Sequence, residues 1–529
     1  MKNNTFKTIL FILIILLSYY LCLPPINITA ISFWIFIIWI LLLILLIYIL
    51  PDIASFKHIV FKNTNKLFKI ISSLIVGIIV LIILINIICS PLFNAKSYSK
   101  RISVNQSGDF SRDIEEVSFN SIPLLDRDSS MKLGDRVMGQ MSDYVSQYYV
   151  SDQYTQINYN NDILRVTPLE YYDLVRWIMH DKDGINAYIT VNSTTGEANL
   201  VKIDGGMKIM PSAYFNHDLN RVLRFRYPTK IFGNAKFEID DNGIPYWVAP
   251  TISYTGISNK TKITGAVILN PVTGESKLYN LSEIPTWVDN VYYSSIVMEM
   301  LDDWGMYING FFNSFIGQKN VVKTTDGYNY LALNNDIYLY TGITSVASDE
   351  SNLGFVLCNL RTGETTYYSA PGAEEYSAMS SAEGQVQQMN YKSTFPLLIN
   401  LAGKPTYLVS LKDQAGLVKM YGFVDVSDYQ KVVVTDAKEG IKAAAQNYLK
   451  VCGTNENNNL LLTKKITIKS ITNVVIDGTT YYYLLDNDNN KYRISIKNYS
   501  NMPYIKIGDT LNIGYYDNNS DIIEINNIN

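Results

Sequence analysis

Three histidines, His58, His180 and His217, are all the imidazole in this chain of 529 residues. A zinc peptidase needs an HExxH helix and a third ligand, and no HExxH occurs. Surface or packed histidines are the simpler reading. Serine chemistry fares no better. There is no GxSxG, and Ser97-Tyr-Ser-Lys100 has SxxK spacing without a Lys-Thr-Gly partner downstream. Asp486-Asn-Asp488-Asn-Asn490 opens with the oxygen spacing of an EF-hand loop, but Lys491 and Lys497 stand where that loop requires Gly and Glu. A hairpin loop accounts for it better. Glu299, Asp302 and Asp303, beside Trp304, form an acid cluster of the type a glycosidase uses, against the ordinary reading of a charged helix face. Of four cysteines, Cys22 and Cys89 fall in apolar segments, and Cys358 and Cys452 read as buried thiols rather than a bridge; no CxxC occurs. The expectation is no catalytic residue, no metal ligand and no cofactor, hence not an enzyme.

The 40 tyrosines are the oddity of composition. Tyr combines contact area with a hydroxyl, which suits binding surfaces, and it is also a good strand former in a strand-rich chain. Runs such as Tyr481-Tyr482-Tyr483 alternate faces, so they do not make one binding stripe.

The elements behind these residues begin with two apolar regions. No charge lies between Lys7 and Asp52, and Ile70 to Ser90 is a second uncharged run. Pro24 and Pro25 break the first region. Residues 1–92 therefore read as a transmembrane region of three helices, about 8–23, 29–50 and 70–90. Lys2 and Lys7 precede the first, and Lys57, Lys62, Lys66 and Lys69 precede the third. Basic flanks stay cytoplasmic, which places the amino terminus inside and everything after the third helix outside, in a multi-pass cell-membrane protein. Lys96, Lys100 and Arg101 pull the other way. Residues 1–101 hold nine basic residues and one acidic one, leaving 35 basic and 47 acidic residues for the rest. An acidic soluble part argues against nucleic acid, and nothing suggests a nucleotide.

The soluble part repeats. Thr195-Gly196-Glu197, Thr273-Gly274-Glu275 and Thr362-Gly363-Glu364 each join two β runs, 78 and then 89 residues apart. Gly provides the positive φ of such a turn. A second strand–turn–strand signature surrounds Gly243 and Gly403, with a looser version from Gly327 to Tyr340. Helical patterns at Pro168–His180, Pro211–Arg226, Glu283–Trp304 and Gly372–Tyr391 open the units. The fourth unit lacks Thr-Gly-Glu and has Gly422-Phe-Val-Asp-Val-Ser-Asp428 instead.

This order of helix, hairpin and strand pair closed by a Thr-Gly-Glu turn resembles the PepSY family over residues 164–430. The long insert between Leu278 and Asn320 and the missing fourth turn depart from it. The resemblance implies an extracytoplasmic α+β module that binds or restrains peptidases, without catalysis. Residues 93–163 read as a linker and added strands with one helix near Ser142–Tyr149. Residues 431–456 read as a helix and linker. Residues 457–529 alternate as short strands of a small OB-like β-barrel.

The fold class expected is α+β: three amino-terminal transmembrane helices, tandem helix-on-antiparallel-sheet repeats and a small carboxy-terminal barrel. The function expected is a non-catalytic integral membrane protein of the bacterial cell envelope. Its partners would be the lipid bilayer and an envelope protein, a peptidase or wall enzyme that the repeats bind or restrain. The alternatives are an envelope hydrolase of peptide or wall polymer and an accessory subunit of a membrane transporter.

Overall fold

A computed structural model describes residues 2–54, 65–116, 119, 122–160, 162–346, 348–452, 462–476, 479–497, 499, 501–515 and 522–528. The chain divides into two compact units, Met1–Tyr448 and Leu449–Asn529.

The larger unit is mixed α+β, and its centre is four sheets of one design. In the first repeat a helix, Arg127–Gly139, precedes the strands Tyr148–Val150, Thr155–Tyr159, Asp162–Tyr171, Ile185–Asn192 and Ala198–Met207. The long third strand carries the first two on one side and the fourth on the other, and the fifth closes the sheet. The second repeat copies this with helix Leu219–Arg226 and strands Ile231–Phe232, Lys236–Ile239, Pro245–Thr255, Lys260–Leu269 and Ser276–Asn280. The third has helix Ser294–Tyr307 and five strands from Val322 to Gly372, with Val104–Gly108 added in parallel at its edge. The fourth has helix Glu375–Gln385 and five strands from Lys392 to Asp436.

The repeating turn is longer than a tripeptide. Asn192, Asn270 and Asn359 each stand three residues before the Thr, and each side-chain oxygen accepts two amide protons of the loop. The Thr hydroxyl accepts the amide of the Glu. Gly196, Gly274 and Gly363 sit at φ +76, +78 and +78, where a side chain is strained. In the fourth repeat Asp425 takes the Asn role, accepting from the amides of Ser427 and Asp428, in a loop one residue longer. The ending is therefore altered rather than lost.

Neighbouring sheets share cores. Trp247 and Val248 are consecutive, fully buried residues of one strand. Trp247 packs with the first repeat's core and Val248 with the third's. Successive strand side chains point to opposite faces, so the second sheet is covered on both sides.

The structure departs from two expectations drawn from the sequence. The opening helix of the first repeat is Arg127–Gly139, not Pro168–His180; Pro168 lies inside a strand, and the helix nearby is Leu174–His180. The polar Arg127–Gly139 segment hides its helical period because its buried face is built of Ser129, Ser130, Gly134 and Met138. The fold class with three amino-terminal transmembrane helices is also not met. Among the described residues one helix, Phe68–Ile88, is long and apolar enough to cross a membrane, while Thr8–Cys22 and Ile31–Leu46 are shorter apolar helices. A bilayer core takes about 20 apolar residues in a helix. Pro24 and Pro25, both buried, follow the end of the first helix at Cys22 and separate it from the second. The second repeat grips that interruption. Arg224 donates to the Leu23 carbonyl, Ser258 accepts from the Ile31 amide, and the Arg221 guanidinium lies 4.2 Å from the centre of the Tyr20 ring. The link holding Lys57, His58 and Lys62 lies outside the described residues.

The smaller unit closes a five-stranded barrel from Leu462–Ile476, Thr479–Asp486, Lys491–Ser495, Thr510–Tyr515 and Ile522–Ile528. Its order is first, second, third, fifth, fourth, with the third and fifth parallel. Ile466, Ile468, Leu484, Tyr492 and Ile513 fill it.

Candidate functional site

The first strand of each repeat's tight hairpin runs towards a common centre. These hairpins turn on residues that tolerate positive φ, such as Asn334 (φ +50) and Asn335 (φ +64). Counted from the turn, Gln156, Lys236, Tyr330 and Leu398 hold the same position in the four repeats. The first three line a cavity of 520 Å³. The fourth repeat contributes Leu397, Leu408 and Ser410 to the same cavity. Lys412 of that repeat binds Asp126 at the start of the first repeat's helix, and the Ser410 hydroxyl donates to the Leu124 carbonyl. The four repeats thus fold back on themselves around the cavity.

Arg165 is the central group. It lies directly across the hairpin from Gln156, so the two side chains share a face. Arg165 is 6 % exposed and Gln156 4 %. The Arg165 Nε and the Gln156 Nε2 have no hydrogen-bond partner, and neither does the neighbouring Thr155 hydroxyl. No carboxylate pairs with Arg165 among the described residues. Asp126, the acid in the lining, is already engaged by Lys412 and the Ser129 amide. Burial works to raise its pKa, but those two partners outweigh burial and hold it below the usual value. Burial lowers Arg165 to about 10, which leaves it a cation at neutral pH, and also lowers Lys236. Tyr330, beside Arg165, is pushed up to about 12 by burial. Tyr292, Tyr293, Tyr328 and Phe395 add ring surface to the walls.

Behind Lys236 lies a buried acid pair. Glu238 accepts the amides of Asp289 (2.8 Å) and Asn290 (3.0 Å), and Asp289 accepts the amide of Asn158 (2.7 Å). Three repeats meet at these bonds. Burial pushes Glu238 up to about 7, and burial together with Glu238 raises Asp289 well above the usual carboxylate range.

The residues singled out by sequence go elsewhere. Glu299 and Asp303 pair with Arg101 and Lys260, and Asp302 accepts from the amide and hydroxyl of Thr324. They form a seam between the segment after the Phe68–Ile88 helix and the third repeat's helix. His180 contacts Gln147, and His217 packs edge-on to Trp177. Asp486 accepts the amides of Asp488 and Asn490 and the Tyr492 hydroxyl, which makes it the anchor of a hairpin turn. Cys358 and Cys452 are not joined by a disulfide, and Cys358 is buried. Arg165 and Lys236 were not anticipated, because each is one basic residue in an alternating strand. The signal available was an Arg flanked by Leu164 and Val166 at a position that should be buried. No protein-family model matches the chain, and no curated protein matches it either.

Proposed function

We propose that this chain is a non-catalytic, membrane-anchored binding protein of the bacterial cell envelope, whose repeats bind or restrain a protein partner such as a peptidase or wall enzyme. The observation that carries the reading is the convergence of four sheets on one cavity that holds an unpaired buried cation and a wall of tyrosines. Such a mix of aromatic area and few polar anchors suits recognition. The Phe68–Ile88 helix supplies the anchor. Lys66 and Lys69 flank its start, which favours a cytoplasmic start and an extracytoplasmic array. Arg101, on the far side, is tied into the Glu299–Asp303 seam and is not a free surface charge. The exposed apolar side chains Leu13, Leu16, Leu17, Leu84 and Ile87 favour lipid contact.

Crosslinking on intact cells tests this, followed by capture through the carboxy terminus and mass spectrometry. Recovery of an envelope peptidase or wall enzyme supports the reading. Recovery of cytoplasmic proteins alone overturns it.

A further inference from the structure

We infer that the central cavity is a binding site for a small oxyanion, a carboxylate or phosphate carried on a ring or apolar body, held by Arg165, Lys236 and Gln156. This goes beyond the partner reading above and stands independently of it.

The charge balance of the lining comes first. Arg165 and Lys236 face one lining acid, Asp126, whose charge is spent on Lys412 and on the helix start, while Arg127, also in the lining, is half-exposed beside Asp152. A guanidinium removed from water without a counter-charge is unfavourable, and Arg165 is in that state among the described residues. Its geometry then specifies what answers it. A guanidinium has five donors and no acceptor in a planar fork, which matches the paired oxygens of a carboxylate or phosphate. The unpartnered Gln156 amide, on the same face as Arg165, adds a neutral donor to that wall.

Shape narrows the class. A volume of 520 Å³ is that of a small-molecule site. Tyr292, Tyr293, Tyr328 and Phe395 offer ring faces to a flat or apolar body. The equivalent hairpin position holds Gln156, Lys236 and Tyr330 in three repeats, so one repeated backbone geometry presents three different chemistries to one space.

Calorimetric titration of the full chain in detergent provides the test, with inorganic phosphate, phenyl phosphate and 4-hydroxybenzoate as probes and 4-hydroxybenzamide as the neutral control. At least one anion is expected to bind one to one, more weakly as salt rises, while the amide does not bind. Tighter phenyl phosphate assigns the phosphate class, and tighter 4-hydroxybenzoate the carboxylate class. Arg165→Met and Lys236→Met should each weaken binding by about tenfold or more. Arg165→Met should keep or raise the melting temperature, because it removes an unpaired buried charge; a residue kept for packing would lower it. Lys236→Met, at a half-buried position, is read alone if Arg165→Met does not fold. Absence of heat with every anion at millimolar concentration overturns the inference, as does undiminished binding in the variants. Retained partner capture by Arg165→Met would mean that the partner reading survives whichever way the anion result falls.

Discussion

Arg101 and Arg165 both have buried side chains, and their surroundings are opposite. The side chain of Arg101 is 6 % exposed and sits between Glu299 and Asp303, with a further bond to the Thr261 carbonyl and Lys260 completing the cluster. Arg165 is 6 % exposed and has no acid partner among the described residues. The first is a fastener: it ties the segment after the Phe68–Ile88 helix to the third repeat. The second is a cost carried by the array at its centre. Burial alone therefore does not identify a functional charge; the test is whether the protein itself supplies the counter-charge.

The largest effect should come from the fastener. Arg101→Met leaves the buried Asp303 with Lys260 as its remaining basic partner, and breaking a buried pair from one side costs about 3–5 kcal/mol. Urea unfolding of the detergent-solubilised chain measures this. If the loss is no larger than in Arg165→Met, the contrast between the two arginines fails.

Next is the acid pair behind the cavity. A carboxyl raised in the folded state keeps its proton where the unfolded chain, with its ordinary value of 4.5, has lost it. Folding then binds a proton between pH 4.5 and about 7, so stability should fall as pH rises through that window. Melting temperatures across pH 4–8 report the slope, and Glu238→Gln should flatten it. A slope of the opposite sign would mean that the positive cavity next door, through Lys236, governs Glu238 more than burial does.

The repeat turns give smaller, graded effects. Asn359 is buried and donates to Asp336 (2.7 Å) as well as holding its own loop, whereas Asn270 holds its loop at a half-buried position. Asn359→Ala should cost about 1–3 kcal/mol, the penalty for leaving a buried partner unsatisfied, and Asn270→Ala about 1 kcal/mol. Equal losses would show that the loops, not the added bond from Asn359 to Asp336, set the difference. Arg165→Met lies at the end of the scale, with no loss of stability or a gain.

Much of the array was legible in local patterns. The three Thr-Gly-Glu turns are readable because a positive φ strongly favours Gly, and the strands of Leu462–Ile528 are readable because a half-buried strand alternates with period two. The helix Arg127–Gly139 was not legible, since small polar residues on its buried face erase the apolar stripe. Nor was the role of Asn192, Asn270 and Asn359, whose oxygens act on amides two and three residues ahead and leave no periodicity.

By itself, then, the sequence determined which segments are apolar, where the turns fall and that the units repeat, because these depend on neighbours a few residues apart. Tertiary structure alone decided that Pro24 and Pro25 are clasped by the second repeat rather than left in a free loop. It also decided that four hairpins converge, and that Arg101 finds acids while Arg165 does not. Charge pairing depends on distances between residues hundreds of positions apart, as with Arg101 and Asp303, and no local pattern encodes such a distance.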